Sequence, residues 1–373
     1  MNERTRTVAV VVAVGALSWS CGSNSPEGTV ADTGTTDDGA TDGTVDTATD
    51  VLPETPTDVA DAPRDADAGA GCKAIWTGTT DVFAIAVDAT SVYWTSALGK
   101  AVMRVPRSGG AATTLATPEE PSGLAVDSSQ AYFAGRGAAV SKVPLAGGTP
   151  TLLGAPTCDD AGPCGGPYAP LVIDATHAYF ADVAAGSFGG AVYKVPLAGG
   201  TVTLLAALTS ADAGPPSPAY NLARDATSIY YPNGAGVWKI PIAGGTPTNL
   251  APGNPAQIVT IDATNAYSAM LSDGQIRTVP IAGGASTALY SGAGANSLVV
   301  KGSNLYWTTS TGAVMTGPAA GGTATTITSG PPAVGVSAIA VEDGVIYWAT
   351  AVKSPTGGKP TISICEFVGA VGK

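Results

Sequence analysis

An acidic residue recurs along this 373-residue chain at a spacing that could build either a metal site or a set of turns. The repeated acids are Asp88, Asp127, Asp174, Asp225 and Asp262. Carboxylates gathered in one ring would be suitable ligands for a hard cation such as Ca²⁺. Each acid, however, precedes a short polar turn, where an aspartate accepts hydrogen bonds from backbone amides two residues on. We therefore predict five local turns and assign no residue to a metal.

The acid position changes in the last two repeats. The sixth repeat places Gly302-Ser303 there, and the seventh places Glu342-Asp343. A shared ion would need its full ligand set, whereas a local turn tolerates the loss of one acid. Calcium in a central channel remains an open alternative, but no motif supports it and we expect no cofactor.

Other residues suited to catalysis are scarce. The chain contains one histidine, His177, and no phrase typical of a nucleophile elbow accompanies it. No cysteine or histidine cluster has zinc spacing, and no phosphate-binding glycine loop is present. We expect His177 to be a solvated turn residue.

The elements that carry these residues repeat with a tyrosine in each copy. Seven tyrosines follow one another at intervals of 37 to 51 residues: Tyr93, Tyr132, Tyr179, Tyr230, Tyr267, Tyr306 and Tyr347. Each follows an apolar run and a turn, and each begins an aromatic strand-like segment. A period near 40 residues with short strands is typical of a β-propeller. We predict an all-β fold with seven blades, each a four-stranded antiparallel sheet.

The aromatic segments also carry a family resemblance. Val92-Tyr93-Trp94-Thr95, Leu305-Tyr306-Trp307-Thr308 and Ile346-Tyr347-Trp348-Ala349 resemble the repeat of YWTD propellers, which occur in lipoprotein receptors and bacterial surface proteins. More broadly, the chain is similar to TolB- and NHL-type propellers. The tetrad's final aspartate occurs only at Asp182, and YWTD domains mostly have six blades. The resemblance supports the fold and says little about partners.

The same resemblance implies a basic residue in each third strand. The candidates are Arg104, Lys142, Lys194, Lys239 and Arg277, and the sixth repeat has Thr316 instead.

The two ends of the repeat region are complementary. Lys73 to Thr77 forms a strand without a blade, and the last repeat has no fourth strand after Thr361 to Phe367. We predict that the N-terminal strand completes the last blade and removes its open edge. Cys72 and Cys365 would then pair, and Cys158 and Cys164 would pair across a short loop.

Residues 1–21 have the form of an export signal. A basic start and about ten apolar residues precede Cys21, and the apolar run is too short to span a bilayer. Cys21 resembles the lipidated cysteine of bacterial lipoproteins, although Ser18 and Trp19 depart from that pattern. Cleavage after Ser20 without lipidation is the alternative. Lipidation would leave the other four cysteines as two pairs.

Residues 22–71 form a predicted disordered linker, and residues 72–373 form the propeller. The linker holds twelve acids and one arginine, which accounts for −11 of the net charge of −12. Such a segment cannot offset its ordering entropy by burial. The nearly neutral propeller has no basic stripe, so we expect no nucleic-acid partner.

The longest repeats carry insertions at residues 154–170, 182–190 and 206–219, all on one face of the predicted ring. Rigid scaffolds commonly present functional loops in this way. The candidate contacts on that face are Arg136, Tyr168, Asp182, Phe188 and Asp212.

Two function classes fit these observations. The favoured one is an exported, lipid-anchored binding scaffold at the outer membrane or cell surface, with an envelope protein or glycan as partner. It would be monomeric and would meet the membrane only through the anchor at Cys21. A periplasmic or secreted location is the alternative. The second class is a propeller enzyme, lyase or lactonase-like, using channel carboxylates and a divalent ion.

Overall fold

The strands of this protein form seven antiparallel sheets, each with at least four strands. A computed structural model describes residues 11–12, 72–157, 169–183, 190–208, 221–270, 273–292, 294–329, 336–350 and 360–366. Within these ranges the only helical element is a 3-10 turn at Arg136–Ala138. The first strands of neighbouring sheets contact each other at six of the seven interfaces, including that between the last sheet and the first, and a hydrophobic cluster joins the remaining pair. The prediction of a seven-bladed β-propeller is confirmed.

Each of the first six blades uses four consecutive strands, called inner, second, third and outer from the central channel outward. The strands of blade 1 are Ala84–Val87, Ser91–Ser96, Ala101–Pro106 and Thr113–Ala116. Those of blade 2 are Leu124–Val126, Gln130–Ala134, Val140–Pro144 and Thr151–Gly154. Those of blade 3 are Leu171–Ile173, His177–Val183, Gly190–Pro196 and Thr203–Leu208. The strands of blade 4 are Ala223–Arg224, Ser228–Asn233, Gly236–Pro241 and Thr248–Asn249. Those of blade 5 are Ile258–Ile261, Asn265–Met270, Gln275–Pro280 and Thr287–Tyr290. Those of blade 6 are Ala295–Lys301, Asn304–Thr309, Ala313–Pro318 and Thr325–Ser329.

Blade 7 is closed by the N-terminal part of the propeller. Its first three strands are Val336–Glu342, Val345–Thr350 and Thr361–Glu366, and its outer strand is Cys72–Thr77. Cys72 lies opposite Cys365 in the register, and the two form a disulfide. Both the predicted closure and this predicted disulfide are confirmed, whereas Cys158 and Cys164 lie outside the described residues.

The core follows the blade interfaces. Seven clusters of buried hydrophobic residues each join one blade to the next, including blade 7 to blade 1. All six residues of the second strand Ser91–Ser96 are buried, because neighbouring blades cover both faces of this sheet. Within that strand Tyr93 packs toward blade 2, and Trp94 packs toward blade 7. The β-branched and aromatic composition of these segments suits a strand buried on both faces.

The ring has two different faces. On the loop face, second strands end, third strands begin, and each outer strand leads to the next blade. On the turn face, inner strands turn into second strands and third strands turn into outer strands. The described helical structure includes no segment long and apolar enough to cross a bilayer.

Candidate functional site

The contact positions were predicted for the loop face, and the structure describes two of them, Arg136 and Asp182. Arg136 begins the 3-10 turn between the second and third strands of blade 2. The backbone there turns sharply, with positive φ at Gly137 (73°) and Ala138 (54°). Tyr168, Phe188 and Asp212 lie outside the described residues, as do most of the predicted insertions and Cys21.

Asp182 lies near the end of the second strand of blade 3, on the loop-face side. Its register partner in the third strand is Ala191. The residue is only 6 % exposed. Asp182 is therefore built into the blade, and a partner could not contact it as an open surface group.

A different residue provides the most accessible apolar contact on this face. Leu98, in the loop between the second and third strands of blade 1, is 82 % exposed. A single exposed leucine is common on protein surfaces, so Leu98 is informative through the loop that carries it. Leu152 and Leu204 are also exposed, but they lie on outer strands rather than on a face of the ring.

Asp81 fixes the loop that carries Leu98. One carboxylate oxygen accepts hydrogen bonds from the Ser96 hydroxyl at 2.6 Å and from the Leu98 amide at 2.9 Å. The other accepts one from the Ala97 amide at 3.1 Å. The Ser96 hydroxyl oxygen in turn accepts a bond from the Gly99 amide at 2.9 Å. Because side chains and backbone hold the loop together, Leu98 projects from a preorganised support.

Charged groups lie beside this leucine. The ammonium group of Lys100 is 3.7 Å from the carboxylate of Glu119, and both side chains are mostly exposed. We define the Leu98 platform as Asp81, Ser96 to Lys100 and Glu119. Sequence reasoning missed it, although a leucine between two strands and next to Gly99 is a readable signal.

The turn face is organised by the repeated acids. In blades 1 to 5, one carboxylate oxygen accepts hydrogen bonds from the backbone amides two and three residues on, at 2.7 to 2.8 Å. This confirms the predicted turn role. His177 supplies one of these amides, and its ring lies beside the Thr176 hydroxyl at 2.8 Å.

The second carboxylate oxygen has a partner that the sequence reasoning did not identify. The hydroxyl of the tyrosine five residues on donates to it at 2.6 to 2.7 Å in all five blades. We call each such pair an Asp–Tyr unit: Asp88–Tyr93, Asp127–Tyr132, Asp174–Tyr179, Asp225–Tyr230 and Asp262–Tyr267. The repeated tyrosine thus serves both the core and the turn.

These hydrogen bonds alter the acid–base behaviour of both partners. Burial alone would raise the pKa of the five carboxyls, but the hydrogen bonds from tyrosine and backbone outweigh it and lower each pKa. Burial, followed by the neighbouring carboxylate, raises the pKa of Tyr93 and of Tyr267 to about 12. The units therefore hold aspartate ionised and tyrosine protonated.

The third-strand cations join neighbouring blades. In blades 1 to 4 the cation lies opposite the tyrosine and donates to a backbone carbonyl in the hairpin of the following blade. The pairs are Arg104 to Leu145 at 2.8 Å, Lys142 to Leu197 at 2.7 Å, Lys194 to Ile242 at 2.8 Å and Lys239 to Ile281 at 3.3 Å. We call these contacts forward ties.

Arg277 does not belong to this series. Thr278, not Arg277, lies opposite Tyr267 in the register, so Arg277 is displaced by one residue and points to the other side of the sheet. Its guanidinium lies 3.6 Å from Asp273. Blade 5 is tied to blade 6 by the Tyr290 hydroxyl instead, which donates to the Pro318 carbonyl at 2.6 Å.

Blades 6 and 7 lack the Asp–Tyr unit. The acid position of blade 6 is occupied by Lys301, not by Gly302-Ser303 as the sequence suggested, because Lys301 stands five residues before Tyr306. Blade 7 has Glu342 there, and its carboxylate accepts a hydrogen bond from Lys301 at 2.9 Å. One ion pair between blades thus replaces two units within blades.

The contact between blades 7 and 1 runs in reverse. Blade 7 has Ile364 opposite Tyr347, so it offers no third-strand cation. Arg107, in the hairpin of blade 1, instead donates to the Tyr347 hydroxyl and lies 3.6 Å from the Asp343 carboxylate. We call this contact the reverse tie.

Carboxylates are spread around the ring and not gathered. The part of the chain that the structure describes contains no group of three His, Cys, Asp or Glu side chains that could hold a metal ion. The geometry of the described polar residues is that of structural contacts within and between blades.

Comparison with known proteins extends the fold assignment. No family model and no curated protein matches the chain. Among solved structures, the WD40 propeller domain of Doa1 is 13% identical, with a TM-score of 0.58 over 80% of this chain and 98% of that chain. YCF48 from Cyanidioschyzon merolae is 13% identical, with a TM-score of 0.58 over 80% and 99%. The AfRom2 CNH domain is 8% identical, with a TM-score of 0.56 over 80% and 100%. At these identities the matches show a shared β-propeller fold.

Proposed function

We propose that the protein is an exported binding scaffold that contacts an envelope protein through its loop face. The observation that carries this proposal is Leu98, 82 % exposed on a loop that Asp81 fixes with three hydrogen bonds. A rigid apolar contact reduces the ordering cost of binding, which is how a small number of residues comes to dominate an interface. An aliphatic side chain fits an apolar pocket on a protein partner. A glycan partner would need an aromatic side chain for stacking.

The course of the chain agrees with this orientation. Cys72 begins the outer strand of blade 7 at its turn-face end, since its partner Cys365 lies opposite Ile346 near the start of the second strand. The described propeller therefore begins, at Cys72, on the side of the ring away from Leu98.

One structural neighbour gives a precedent for peptide binding by this fold. A propeller described as YCF48 bound to D1 peptide is 11% identical to this chain, with a TM-score of 0.56 over 80% of it. The precedent concerns the fold, and the contact residues proposed here come from this chain alone.

Site-specific photo-cross-linking in the producing cell tests the contact surface. A photoreactive residue at position 98 should cross-link one protein reproducibly. The same residue at position 152 is the matched control, because Leu152 is also exposed, at 61 %, but lies on an outer strand. In a chain without a photoreactive residue, Leu98→Asp should abolish co-purification of the protein identified by cross-linking. Leu152→Asp should leave that co-purification unchanged. Equal cross-linking from both positions, or none from position 98, would contradict the proposal.

The lipid anchor requires its own test. Cys21→Ser should move the protein from the membrane fraction to the soluble fraction and should abolish incorporation of labelled fatty acid. Ordinary cleavage after Ser20 would leave the wild type unlabelled and soluble. That result would remove the anchor from the proposal and leave the contact surface in place.

A further inference from the structure

The N-terminal segment of the full-length chain pairs with the propeller inside the ring. Val11–Val12 adds to the inner strand of blade 1 as an antiparallel fifth strand, with Val11 opposite Ile85 and Val12 opposite Ala84. The same two residues lie within 8 Å, between Cα atoms, of the inner strands of blades 6 and 7. The segment therefore occupies the central channel beside the place where the ring closes.

The inner strand of blade 1 has the properties of a strand acceptor. An inner strand is an edge strand, so one row of its backbone N–H and C=O groups faces the channel without a partner in its own blade. Its four residues, Ala84–Val87, are uncharged and buried to 1% exposure or less. A buried backbone N–H or C=O group is costly to leave without a hydrogen bond, so pairing with another strand is favoured here.

The segment has the matching chemistry. Residues 8–17 read Val-Ala-Val-Val-Val-Ala-Val-Gly-Ala-Leu, with no charge, no proline and five β-branched residues. Such a composition has high strand propensity and can pair along an exposed edge. Segment and acceptor are thus both apolar, and each supplies the backbone groups that the other lacks.

We propose that the channel-facing edge of blade 1 is a strand-addition site and that the segment around Val11–Val12 is its occupant in the unprocessed chain. Cleavage before Cys21, which belongs to the proposed function, would vacate this edge during maturation. The mature propeller would then expose a site for an extended apolar peptide. The strand-addition site itself does not depend on Leu98 or on the anchor.

Hydrogen exchange on the full-length chain, produced without export so that residues 1–20 are retained, tests this site. Val11→Asp with Val12→Asp should place charge in the channel and expel the segment, which speeds exchange of the Ile85 amide, opposite Val11, at least tenfold. Val30→Asp with Val45→Asp is the matched control, because it adds the same charge within the linker. The inner strand of blade 3, Leu171–Ile173, should exchange at the wild-type rate in both variants.

A peptide added in trans completes the experiment. A peptide of residues 8–17 with flanking lysines should restore slow exchange of the Ile85 amide in the Val11→Asp, Val12→Asp chain. The same peptide with prolines at its fourth and fifth residues should have no effect. Unchanged exchange in the aspartate variant would overturn the proposal, and so would faster exchange spread equally over blades 1 and 3.

Discussion

Blades 1 to 5 stabilise the turn face of the ring with different residues from those that blades 6 and 7 use. Each of the first five blades pairs an aspartate with a tyrosine five residues on, within one blade. Blades 6 and 7 have Lys301 and Glu342 in place of the aspartate, and these two side chains pair with each other across the interface. The repeat therefore preserves a hydrogen-bonded turn face, while the residues that provide it change near the closure.

The ties between blades vary in the same way. Blades 1 to 4 reach forward with a cation, blade 5 uses the Tyr290 hydroxyl, and blade 1 reaches back to blade 7 through Arg107. The closing contact differs from the internal ones because blade 7 carries Ile364 opposite its tyrosine, where blades 1 to 4 carry a cation.

The largest effect should come from the disulfide that closes the ring. Changing both Cys72 and Cys365 to Ala removes a cross-link between residues separated by 293 positions. A loop of this length is worth roughly 5 kcal/mol as an upper figure, because the cross-link restricts the unfolded chain. Urea unfolding should show a loss of several kcal/mol, whereas a loss below about 1 kcal/mol would mean that strand pairing alone closes the ring.

Next in size is the contrast between an intact Asp–Tyr unit and a blade without one. Tyr230→Phe leaves a carboxylate oxygen of Asp225 without its donor, so we expect a loss of about 1–3 kcal/mol in unfolding free energy. Tyr306→Phe is the matched control, because Lys301 occupies the acid position of that blade. It should cost less than about 1 kcal/mol. Equal losses would show that the hydroxyl acts through packing and not through the acid.

The units also predict the alkaline limit of stability. The pKa of Tyr93 and of Tyr267 is about 12 in the folded state and about 10 in an unfolded chain. A raised pKa means that their stabilisation is complete below pH 10 and is lost as the pH rises toward 12. Changing both to Phe should lower stability at neutral pH and flatten its decline from pH 10 to 12. A decline as steep as that of the wild type would contradict this origin.

At acid pH the stability contributed by the units changes with pH in the opposite direction. Because the pKa of each of the five aspartates is lowered, their stabilisation is present above the unfolded value near 4 and is lost as the pH falls below it. Thermal unfolding between pH 5 and pH 2 should show this loss. Asp225→Asn should reduce the dependence on pH, and an unchanged slope would argue against the hydrogen-bonded carboxylate as its source.

The smallest effect should come from the ion pair that replaces the units. Lys301 is 42% exposed and Glu342 is 15% exposed at the side chain, so solvent screens much of their attraction. Lys301→Met should cost about 1 kcal/mol or less, and the difference from wild type should shrink at high salt. A loss comparable to that of Tyr230→Phe, unaffected by salt, would contradict this ranking.

Much of the fold could be predicted because its causes are local and repeated. The tyrosine period indicated the number of blades, and the unpaired strand at Lys73 indicated the closure. The turn role of Asp88 and its equivalents followed from the short spacing to the amides they bind. The bond from Tyr93 to Asp88 was missed because it depends on strand pairing that brings the hydroxyl back over the turn.

The candidate site was less predictable, since register and exposure are set by tertiary packing. Arg277 looked equivalent to Lys239 in a linear alignment, but a shift of one residue reverses the side of the sheet it faces. Asp182 looked like a surface acid and is buried in blade 3. Leu98 was not singled out from the sequence, because its fixed exposure depends on hydrogen bonds from its loop to Asp81, which lies before the first strand.

Exchanging the reverse tie for a forward tie tests most directly that each blade interface depends on one polar tie. Arg107→Leu alone should lower the free energy of unfolding by about 1.5–3 kcal/mol, because the Tyr347 hydroxyl and Asp343 lose their charged partner. Adding Ile364→Lys places a cation opposite Tyr347, as Lys194 is placed opposite Tyr179. Because Ile364 is buried in the core, the matched control is Arg107→Leu with Ile364→Met, and the lysine variant should be more stable than this control in urea unfolding. A lysine variant no more stable than the methionine control would contradict the account.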